Sequence, residues 1–328
     1  MSSDLDGVTR KTLATLRRFE FKTFSIGLVL PQGVQDREDT LRSELKIRGR
    51  ETIKSEVAGR VAAAVAKGMR GRRVDRLRPD VTALVDIGQG TVSVNSKPLF
   101  LYGRYTKPRG VAQRRLYCAE CNGRGCERCK GTGYSSAASV EGLVSGRLER
   151  LVGSKRFKFT WFGSEDPESA VFPPGRPVLV ESKNPRKRRA PRTLRLRTRR
   201  GGVSVLGLRS VNEKLEHPAF TFMTRATIRA ERRVSQDEVK KLQREMRNAT
   251  VQYRNNKGRL VDKRVYFVRA TASGRRITAE IKLDGGLPVK RFVSGDAVSP
   301  SFAESMGVGL ACERFDILRV WPKAGTGA

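Results

Sequence analysis

Four cysteines form the densest group of potential metal ligands in this sequence. They lie in two tandem eight-residue units, CAECNGRG and CERCKGTG, as Cys118, Cys121, Cys126 and Cys129. Two thiolates on a tight turn can share one tetrahedral cation, and glycines after the turn let backbone N–H groups approach the sulfurs. Four thiolates leave no open coordination position, so the sequence predicts structural rather than catalytic zinc. Two disulfides or a redox pair are the alternatives, and a cytosolic setting disfavours stable disulfides.

A short acidic stretch is the other group that could do chemistry, because the chain around it is strongly cationic. It contains Glu165, Asp166 and Glu168, and it lies between an aromatic segment and an arginine-rich one. A surface turn would explain this composition, since Asp-Pro and Gly favour turns. Alternatively, a carboxylate beside an RNA-binding face is what a nucleophile attacking a ribose requires.

Several enzyme classes lack the motifs that they need. The chain has no Walker loop, no Gly-x-Gly-x-x-Gly after a predicted strand and no His-Glu-x-x-His, so phosphoryl transfer, nicotinamide chemistry and metalloprotease chemistry have no support. His217 is the single histidine, which argues against histidine-rich metal sites and against Ser-His-Asp or Cys-His catalysis. Cys312 lies in an apolar context, which favours a buried small hydrophobe over a nucleophile.

Net charge is the strongest feature of the composition. Of 328 residues, 67 are Lys or Arg and 33 are Asp or Glu, which gives a formal net charge of +34. A polyanion must compensate such an excess, so nucleic acid is the predicted partner and a basic membrane-surface protein is the alternative. The sequence has no apolar run of about 18 residues, which predicts no membrane span. No secretory signal is visible either, and a cytoplasmic location is predicted.

The densest positive charge lies within residues 184–202. Leucines and arginines alternate over residues 193–197, so a strand would place its arginines together on one face. A charge run is often only a solvated face, but the excess over the whole chain favours phosphate contacts. The candidate RNA-binding residues are Arg104, Arg186, Lys187, Arg188, Arg189, Arg195 and Arg197.

Hydrophobic patterning predicts the elements that must position these groups. Apolar and polar residues alternate over 18–30, which indicates a strand, and an apolar spacing of four residues predicts a helix over 38–69. Two apolar runs, Val81–Ile87 and Thr91–Val94, flank a Gly-Gln-Gly loop and predict a hairpin. Together these elements make a small α/β domain that ends near residue 105.

The second half of the chain is predicted to be mostly strands. Ser235 and Glu238 are spaced as a capping box, which predicts the start of a helix. Turn residues 255–258 separate two apolar runs and predict a hairpin. The remaining predictions are a helix over 139–151 and strands over 157–161, 277–283 and 315–321.

In the order of its motifs, the chain resembles the archaeal tRNA pseudouridine synthases of the Pus-ten class, which modify uridines 54 and 55 in the T loop. The most specific segments are the cysteine repeat and the run Gly103-Arg104-Tyr105-Thr106-Lys107. The resemblance implies an α+β fold with a THUMP-like RNA-binding domain over 1–112, a four-cysteine zinc knuckle over 113–135 and a mixed α/β pseudouridine synthase-like domain over 136–328. It also implies a tRNA partner and no cofactor for the chemistry, and we expect a monomer.

The same resemblance places the catalytic nucleophile on Asp166. This carboxylate would attack ribose C1′ of a flipped uridine, or abstract a neighbouring proton first, and the freed uracil would rotate and reattach through carbon 5. Arg176 could pair with Asp166 and keep it ionised, or could be a turn arginine bound to a carbonyl. The substrate-binding residues implied are Glu165, Arg176, Thr224, Pro288 and Lys290.

Some positions depart from the family pattern. Ser164 replaces an arginine, and Thr224 and Pro288 stand where two substrate-contacting tyrosines are expected. Phe220 or Phe222 could restore stacking on a base, but not the proton chemistry of a phenol. Two functions are therefore compatible with the sequence. One is an active tRNA pseudouridine synthase, and the other is a non-catalytic synthase-like protein that binds tRNA or ribosomal RNA.

Overall fold

A computed structural model of the chain describes residues 2–47, 49, 51–135, 138–212, 219–255 and 258–323. The chain forms two compact units. Unit 1 comprises Met1–Leu99, Leu148–Phe157 and Glu181–Arg189, and unit 2 comprises Phe100–Arg147, Lys158–Val180 and Ala190–Ala328. Two segments that the sequence assigns to the C-terminal domain therefore belong to unit 1, and the domain boundaries drawn from the sequence stay a prediction. His217 and part of the predicted 255–258 turn lie outside the described residues.

Unit 1 contains a four-stranded sheet with helices packed against it. Its elements are helix α1 (Ser2–Leu16), strand β1 (Thr23–Val29), helices α2 (Val34–Glu44) and α3 (Ile53–Gly68), and strands β2 (Arg73–Val74), β3 (Val81–Asp86) and β4 (Thr91–Ser96). The strand order is β2-β1-β3-β4, with β1 parallel to β2 and β3. The antiparallel β3–β4 hairpin confirms the prediction. Phe24 of β1 is buried against Val61 and Val65 of α3 in the core.

The prediction of one helix over 38–69 is wrong, because two helices occupy this range. Thr52 precedes α3, and its hydroxyl accepts a hydrogen bond from Ser55 N at 3.2 Å, while Ser55 Oγ accepts one from Thr52 N at 2.9 Å. Glu38 of α2 accepts two further bonds from Ile53 N, at 3.0 and 3.2 Å. These bonds satisfy N–H groups that open a helix, so a new helix begins at Ile53.

Most of the remaining chain forms a mixed sheet. Its elements are strand β5 (Leu99–Lys107), helix α4 (Val140–Val152), β6 (Arg156–Trp161), β7 (Val171–Lys183), β8 (Thr193–Thr198), β9 (Gly201–Val211), β10 (Phe220–Ala230), helix α5 (Gln236–Glu245), β11 (Thr250–Arg254), β12 (Leu260–Ser273), β13 (Arg276–Asp284), helix α6 (Val289–Ser294), β14 (Val298–Ser299), helix α7 (Phe302–Met306) and β15 (Leu310–Pro322). The strand order among the described residues is β14-β11-β12-β13-β10-β15-β7-β5-β9-β8, and β6 pairs with β7. Strand β10 is antiparallel to both β13 and β15, and β15 is parallel to β7.

Several local predictions for this part are confirmed. Ser235 caps α5 and forms a reciprocal capping box with Glu238, and β11 pairs with β12 as the predicted hairpin. In β8, Leu194 is buried while Arg195 and Arg197 are exposed, as the alternation predicted. The other predicted elements appear as α4, β6, β13 and β15. Among the described residues, none of the helices has the length and the apolar character needed to cross a membrane.

Candidate functional site

A cavity of about 680 Å³ opens beside the acidic stretch in unit 2. The loop between β6 and β7 forms one wall, and the segment that leads from β13 into α6 forms another. Its volume is in the range of small-molecule sites, about 300–1,000 Å³. Apart from Thr224, all the predicted catalytic and substrate-binding residues line it, together with three aromatic residues: Glu165, Asp166, Arg176, Pro288, Lys290, Phe222, Tyr253 and Phe315.

Asp166 and Lys290 form an ion pair in the cavity wall. Lys290 Nζ lies 2.6 Å from Asp166 Oδ2, and the lysine and aspartate side chains are 50% and 44% exposed. Asp166 lies in the β6–β7 loop, whereas Lys290 belongs to the first turn of α6. The arrangement suits a carboxylate that must be held in one orientation and still reach a molecule in the cavity.

Glu165, the neighbour of Asp166, is buried instead. Its Oε2 accepts a hydrogen bond from Arg176 NH1 at 2.8 Å, and both side chains are at most 3% exposed. Arg176 Nε also donates to the Phe162 carbonyl oxygen at 2.8 Å. The expected pairing of Arg176 with Asp166 is therefore wrong, because a buried guanidinium needs a buried counter-ion and Asp166 is half-exposed. The carbonyl contact matches the alternative that the sequence left open.

Two uncharged side chains complete the hydrogen bonding of Glu165. Tyr105 OH donates to Glu165 Oε1 at 2.6 Å, and Gln113 Nε2 lies 3.1 Å from Oε2 and 2.7 Å from the Tyr105 oxygen. Burial, followed by the charge of Glu165, raises the pKa of Tyr105 well above its ordinary value, so the phenol remains a donor. Sequence reasoning gave neither residue a role. In the structure, burial alternates along β5 and puts Tyr105 on the inner face.

Lys107 anchors the backbone of the acidic stretch. The residue is buried, and its Nζ donates to the carbonyl oxygens of Asp166 and Pro167, both at 3.2 Å, and to that of Ser169. Burial lowers the pKa of Lys107. Nearby carboxylates act to raise it, and that of Glu165 has the largest such effect. An anchored main chain limits the freedom of the Asp166 side chain, as a precise site requires.

Thr224 lies in the sheet rather than beside the cavity. Its side chain is fully buried, and Oγ1 donates to the Asp316 carbonyl oxygen at 2.8 Å. The Asp316 carboxylate accepts bonds from Arg109 Nε at 3.2 Å and from Ala170 N at 2.9 Å. Thr224 therefore fastens β10 to β15. It does not line the cavity, unlike the other predicted substrate-binding residues.

Aromatic side chains contribute to the apolar surface of the cavity. Phe222 of β10, one of the two phenylalanines considered for stacking, is 4% exposed and lies 5.9 Å from the Arg176 guanidinium. Tyr253 of β11 is half-buried, and its OH donates to the Gly286 carbonyl oxygen at 2.7 Å. This bond ties β11 to the segment that carries Pro288. Burial raises the pKa of Tyr253, so its phenol is protonated at neutral pH.

Cys312 lies in β15 and is half-buried, whereas the sequence favours a buried small hydrophobe. Burial raises the pKa of its thiol to about 11. Because the thiolate is the nucleophilic form, a thiol that stays protonated is suited to packing rather than to attack.

The predicted RNA-binding cations divide into structural and exposed groups. Arg104 donates to two main-chain carbonyl oxygens, at 2.5 and 3.1 Å, and Arg188 donates to two others, at 2.9 and 3.1 Å. Both guanidinium groups therefore help to hold the fold of their own unit. The exposed members are Arg186, Lys187 and Arg189 in unit 1, and Arg195 and Arg197 in unit 2.

The four cysteines of the repeat come together in unit 2. Their Sγ atoms lie within 4.8 Å of one another. The Cys118–Cys126 and Cys121–Cys129 sulfur separations are both 3.7 Å, far longer than a disulfide bond of about 2.05 Å. A tetrahedral zinc site with bonds of about 2.3 Å places its sulfurs about 3.8 Å apart. This group of thiols could therefore hold a metal ion.

Backbone N–H groups approach the sulfurs, as the glycine pattern predicted. Gly125 N lies 3.2 Å from Cys121 Sγ, and Gly133 N lies 3.2 Å from Cys129 Sγ. Cys126 N, at 3.1 Å, also donates to Cys129 Sγ, and this bond is the largest cause that lowers the pKa of Cys129 to about 6. Donors to sulfur favour the thiolate, which is the form that binds metal.

Two protein-family models match the chain, and together they cover most of it. The model described as Pus10 THUMP domain, archaeal, matches residues 9–86. The model described as Pus10, C-terminal, matches residues 100–320. The first match falls in unit 1, and the second includes the cysteine cluster, the cavity and the Asp166–Lys290 pair.

Curated relatives agree with these matches. The chain is 31% identical over 312 residues to the tRNA pseudouridine synthase Pus10 of Cenarchaeum symbiosum, an alignment that covers 94% of this chain and 76% of that protein. It is also 31% identical over 303 residues to the protein of the same name from Nitrosopumilus maritimus, covering 91% and 78%. Among solved structures, a chain of a Cbf5-Nop10-Gar1 complex aligns with 54% of this chain and over 44% of its own length, at 13% identity. The TM-score of 0.33 is too low to support an inference.

Proposed function

Because the chain belongs to the Pus10 family, we propose that it is a tRNA pseudouridine synthase, an isomerase that converts uridine to pseudouridine at T-loop positions 54 and 55. The observation that carries the proposal is the pairing of Asp166 with Lys290 in the wall of a cavity with room for a nucleotide. The relatives' name supports the reaction, and the motif order supports the T-loop positions. The cytoplasmic location and the monomeric state stay predictions.

In the proposed reaction, the Asp166 carboxylate acts on the ribose of the target uridine. It attacks C1′, or it removes a neighbouring ribose proton first, and either route breaks the bond from C1′ to uracil N1. The freed uracil rotates and bonds to C1′ through carbon 5. The bond to carbon 5 displaces the carboxylate from C1′ in the first route, and in the second route the carboxyl group returns its proton to the ribose. Carbon 5 then loses its proton and N1 gains one. Product and substrate are isomers, so the reaction consumes no co-reactant.

The surrounding residues support this use of Asp166. Lys290 orients the carboxylate, while Lys107 and the buried Glu165–Arg176 pair hold the loop that carries it. Phe222 offers an apolar surface to the uracil. A base must leave its stack before it can enter such a cavity, which costs a few kcal/mol. Phosphate contacts by the exposed arginines would offset that cost.

The test is pseudouridine mapping on an unmodified tRNA transcript under single-turnover conditions. Asp166→Asn keeps the shape of the side chain and removes its charge, and we expect product formation to fall at least about a thousand-fold. Glu168→Gln is the matched control, because Glu168 is an exposed carboxylate two residues further along that does not line the cavity. Its rate should stay close to that of the wild type.

The outcomes separate the two functions that the sequence left open. Pseudouridine at positions 54 and 55 with the wild type and with Glu168→Gln, but not with Asp166→Asn, supports the enzyme. If the intact wild-type protein binds the transcript and forms no pseudouridine, the enzyme proposal is overturned and a non-catalytic RNA-binding protein is favoured.

We also propose that Cys118, Cys121, Cys126 and Cys129 hold one structural zinc ion. The support is the sulfur separation of 3.7–3.8 Å, which matches a four-thiolate tetrahedral site. Metal analysis and native mass spectrometry should find one zinc per chain. Cys126→Ser should lose it, whereas Cys312→Ser, which removes a cysteine far from the cluster in sequence, should keep it. A native protein with four reactive knuckle thiols and no metal would contradict the proposal.

A further inference from the structure

We propose that the knuckle, residues 113–135, carries a binding site for an unpaired nucleobase of RNA on the exposed ring of Tyr117. The Tyr117 and Tyr134 rings stack with their centroids 5.7 Å apart and an interplanar angle of 14°. Neither residue lines the cavity that holds Asp166. The inference takes its class of ligand from the proposed function, but it concerns a separate site that is not needed for the chemistry.

Backbone pairing explains why the two rings stack. Cys118 N donates to the Gly133 carbonyl oxygen at 2.9 Å, and Ser135 N donates to that of Leu116 at 2.8 Å. Tyr117 and Tyr134 therefore face each other as a non-hydrogen-bonded antiparallel pair, in which opposite side chains are closest. The cysteine cluster begins at the next residue, Cys118, so the stack adjoins a short framework in which four thiols come together. Such a framework presents an aromatic ring in a fixed orientation.

Exposure distinguishes this stack from one that serves packing alone. Tyr117 is 64% exposed. In another stacked pair of unit 2, the Phe159 and Trp161 ring centroids lie 5.2 Å apart with an interplanar angle of 15°, and Trp161 is 7% exposed. The knuckle therefore leaves most of one aromatic ring accessible to a ligand. Every nucleobase has a π-face that can stack on such a ring.

Positive charge in the same segment indicates which ligand would cover the ring. Arg114, Arg124 and Lys130 are exposed there, and the Arg115 guanidinium lies 5.2 Å from the centroid of the Tyr134 ring. Exposed cations in the segment that carries an exposed aromatic ring match an RNA strand, whose phosphates alternate with bases. Because the bases of a duplex already stack on each other, the ligand is an unpaired or flipped-out base with its flanking phosphates.

Binding of an unmodified tRNA transcript, measured by fluorescence anisotropy with the full chain, tests this site. Tyr117→Phe keeps the ring and should bind within about twofold of the wild type. Tyr117→Ala removes it and should weaken binding roughly 5- to 150-fold, the range for the loss of one stacked base. The dependence of affinity on salt should stay unchanged for Tyr117→Ala. Arg124→Gln, by contrast, should reduce the salt slope by about 0.7–0.9, as expected for one phosphate contact.

A second measurement uses the wild-type protein, so its result does not depend on whether a variant knuckle folds. Ultraviolet crosslinking of the wild-type complex, followed by mass spectrometry, should find a nucleotide attached to Tyr117. If Tyr117→Ala retains its metal and binds as tightly as the wild type, or if crosslinks form elsewhere on the chain but none at Tyr117, the inference is overturned.

The readouts also separate this inference from the proposed function. A wild-type protein that makes no pseudouridine, but whose RNA affinity depends on Tyr117, would keep the inference and reject the enzyme. A protein that makes pseudouridine and binds RNA equally well without the Tyr117 ring would keep the enzyme and reject the inference.

Discussion

Lys290 Nζ lies 2.6 Å from Asp166 Oδ2, although the two residues come from different elements and both side chains are about half-exposed. The distance is that of a strong, charge-assisted hydrogen bond. Exposed ion pairs contribute at most about 1 kcal/mol to stability. The pair is therefore better suited to fixing the direction of a reactive carboxylate than to holding the fold.

Replacing Lys290 should separate these two effects. For Lys290→Met we expect the free energy of unfolding to change by less than about 1 kcal/mol. Product formation should fall tenfold or more, because the carboxylate loses the cation that orients it. Lys290→Arg keeps the charge and should recover part of the rate. Urea unfolding and single-turnover mapping measure the two quantities, and an unstable variant with an unchanged rate would contradict the expectation.

The buried Glu165–Arg176 pair should respond in the opposite way. Arg176→Met leaves the Glu165 charge buried without its partner, and we expect a loss of about 3–5 kcal/mol in the free energy of unfolding. The Arg225–Glu280 pair is a matched control, because its N–O distance is 2.7 Å but its side chains are 51% and 32% exposed. Arg225→Met should cost at most about 1 kcal/mol. Equal losses in urea unfolding would show that burial does not set the cost.

Asp80 in unit 1 predicts a dependence of stability on pH. Its Oδ2 accepts hydrogen bonds from the N–H groups of Lys22 at 2.9 Å and Thr23 at 3.1 Å. Burial acts to raise the pKa of Asp80, but these two amides, together with the positive charges of Lys97 and Arg188, outweigh it and the pKa is lowered. A lowered folded-state pKa stabilises the fold above about pH 4, and this contribution is lost as pH falls through the folded-state value.

Asp80→Asn should therefore lower the thermal unfolding midpoint at about pH 7. It should also lessen the drop in that midpoint between about pH 7 and about pH 3, relative to the wild type. Circular dichroism melts at both pH values measure the difference. The same acid-induced drop in both proteins would mean that Asp80 does not contribute in this way.

Two glycines of the knuckle should differ in their tolerance of alanine. Gly131 and Gly133 have almost the same φ, 74° and 73°, so alanine meets a similar backbone penalty at both, about 1–2 kcal/mol. A Cβ at Gly133 would lie 2.4 Å from the Gly123 carbonyl oxygen, whereas at Gly131 nothing lies within 4 Å. In competition with a zinc chelator, Gly133→Ala should bind zinc at least about tenfold more weakly than Gly131→Ala. Equal affinities would mean that the knuckle can widen at this contact.

Features that depend on neighbouring residues could be predicted from the sequence. The Ser235–Glu238 capping box and the cysteine repeat each depend on groups only a few positions apart, and both predictions locate the feature correctly. The break between α2 and α3 was predictable in the same way, because Thr52 and Ser55 form a capping box. The apolar spacing of four residues, from Ile53 to Val65, lies wholly within α3 and gives no support to a helix that begins at residue 38.

Contacts between distant residues could not be predicted from spacing. The Tyr105–Glu165 bond joins residues 60 positions apart, and the pairing of β5 with its neighbours in the sheet brings them together. For a related reason, the sequence could not show that Arg176 pairs with Glu165 rather than with Asp166. Glu165 and Asp166 are adjacent and chemically alike, and only the packing of the loop decides which carboxylate is buried.

Arg195 and Arg197 lie on β8, which ends the strand order of the sheet among the described residues. An edge strand offers unpaired N–H and C=O groups to a strand from any other molecule, and charged side chains along it discourage such addition. The positive charge that favours contact with RNA thereby also repels further copies of the chain. Pairing of two such edges through β8 is therefore disfavoured.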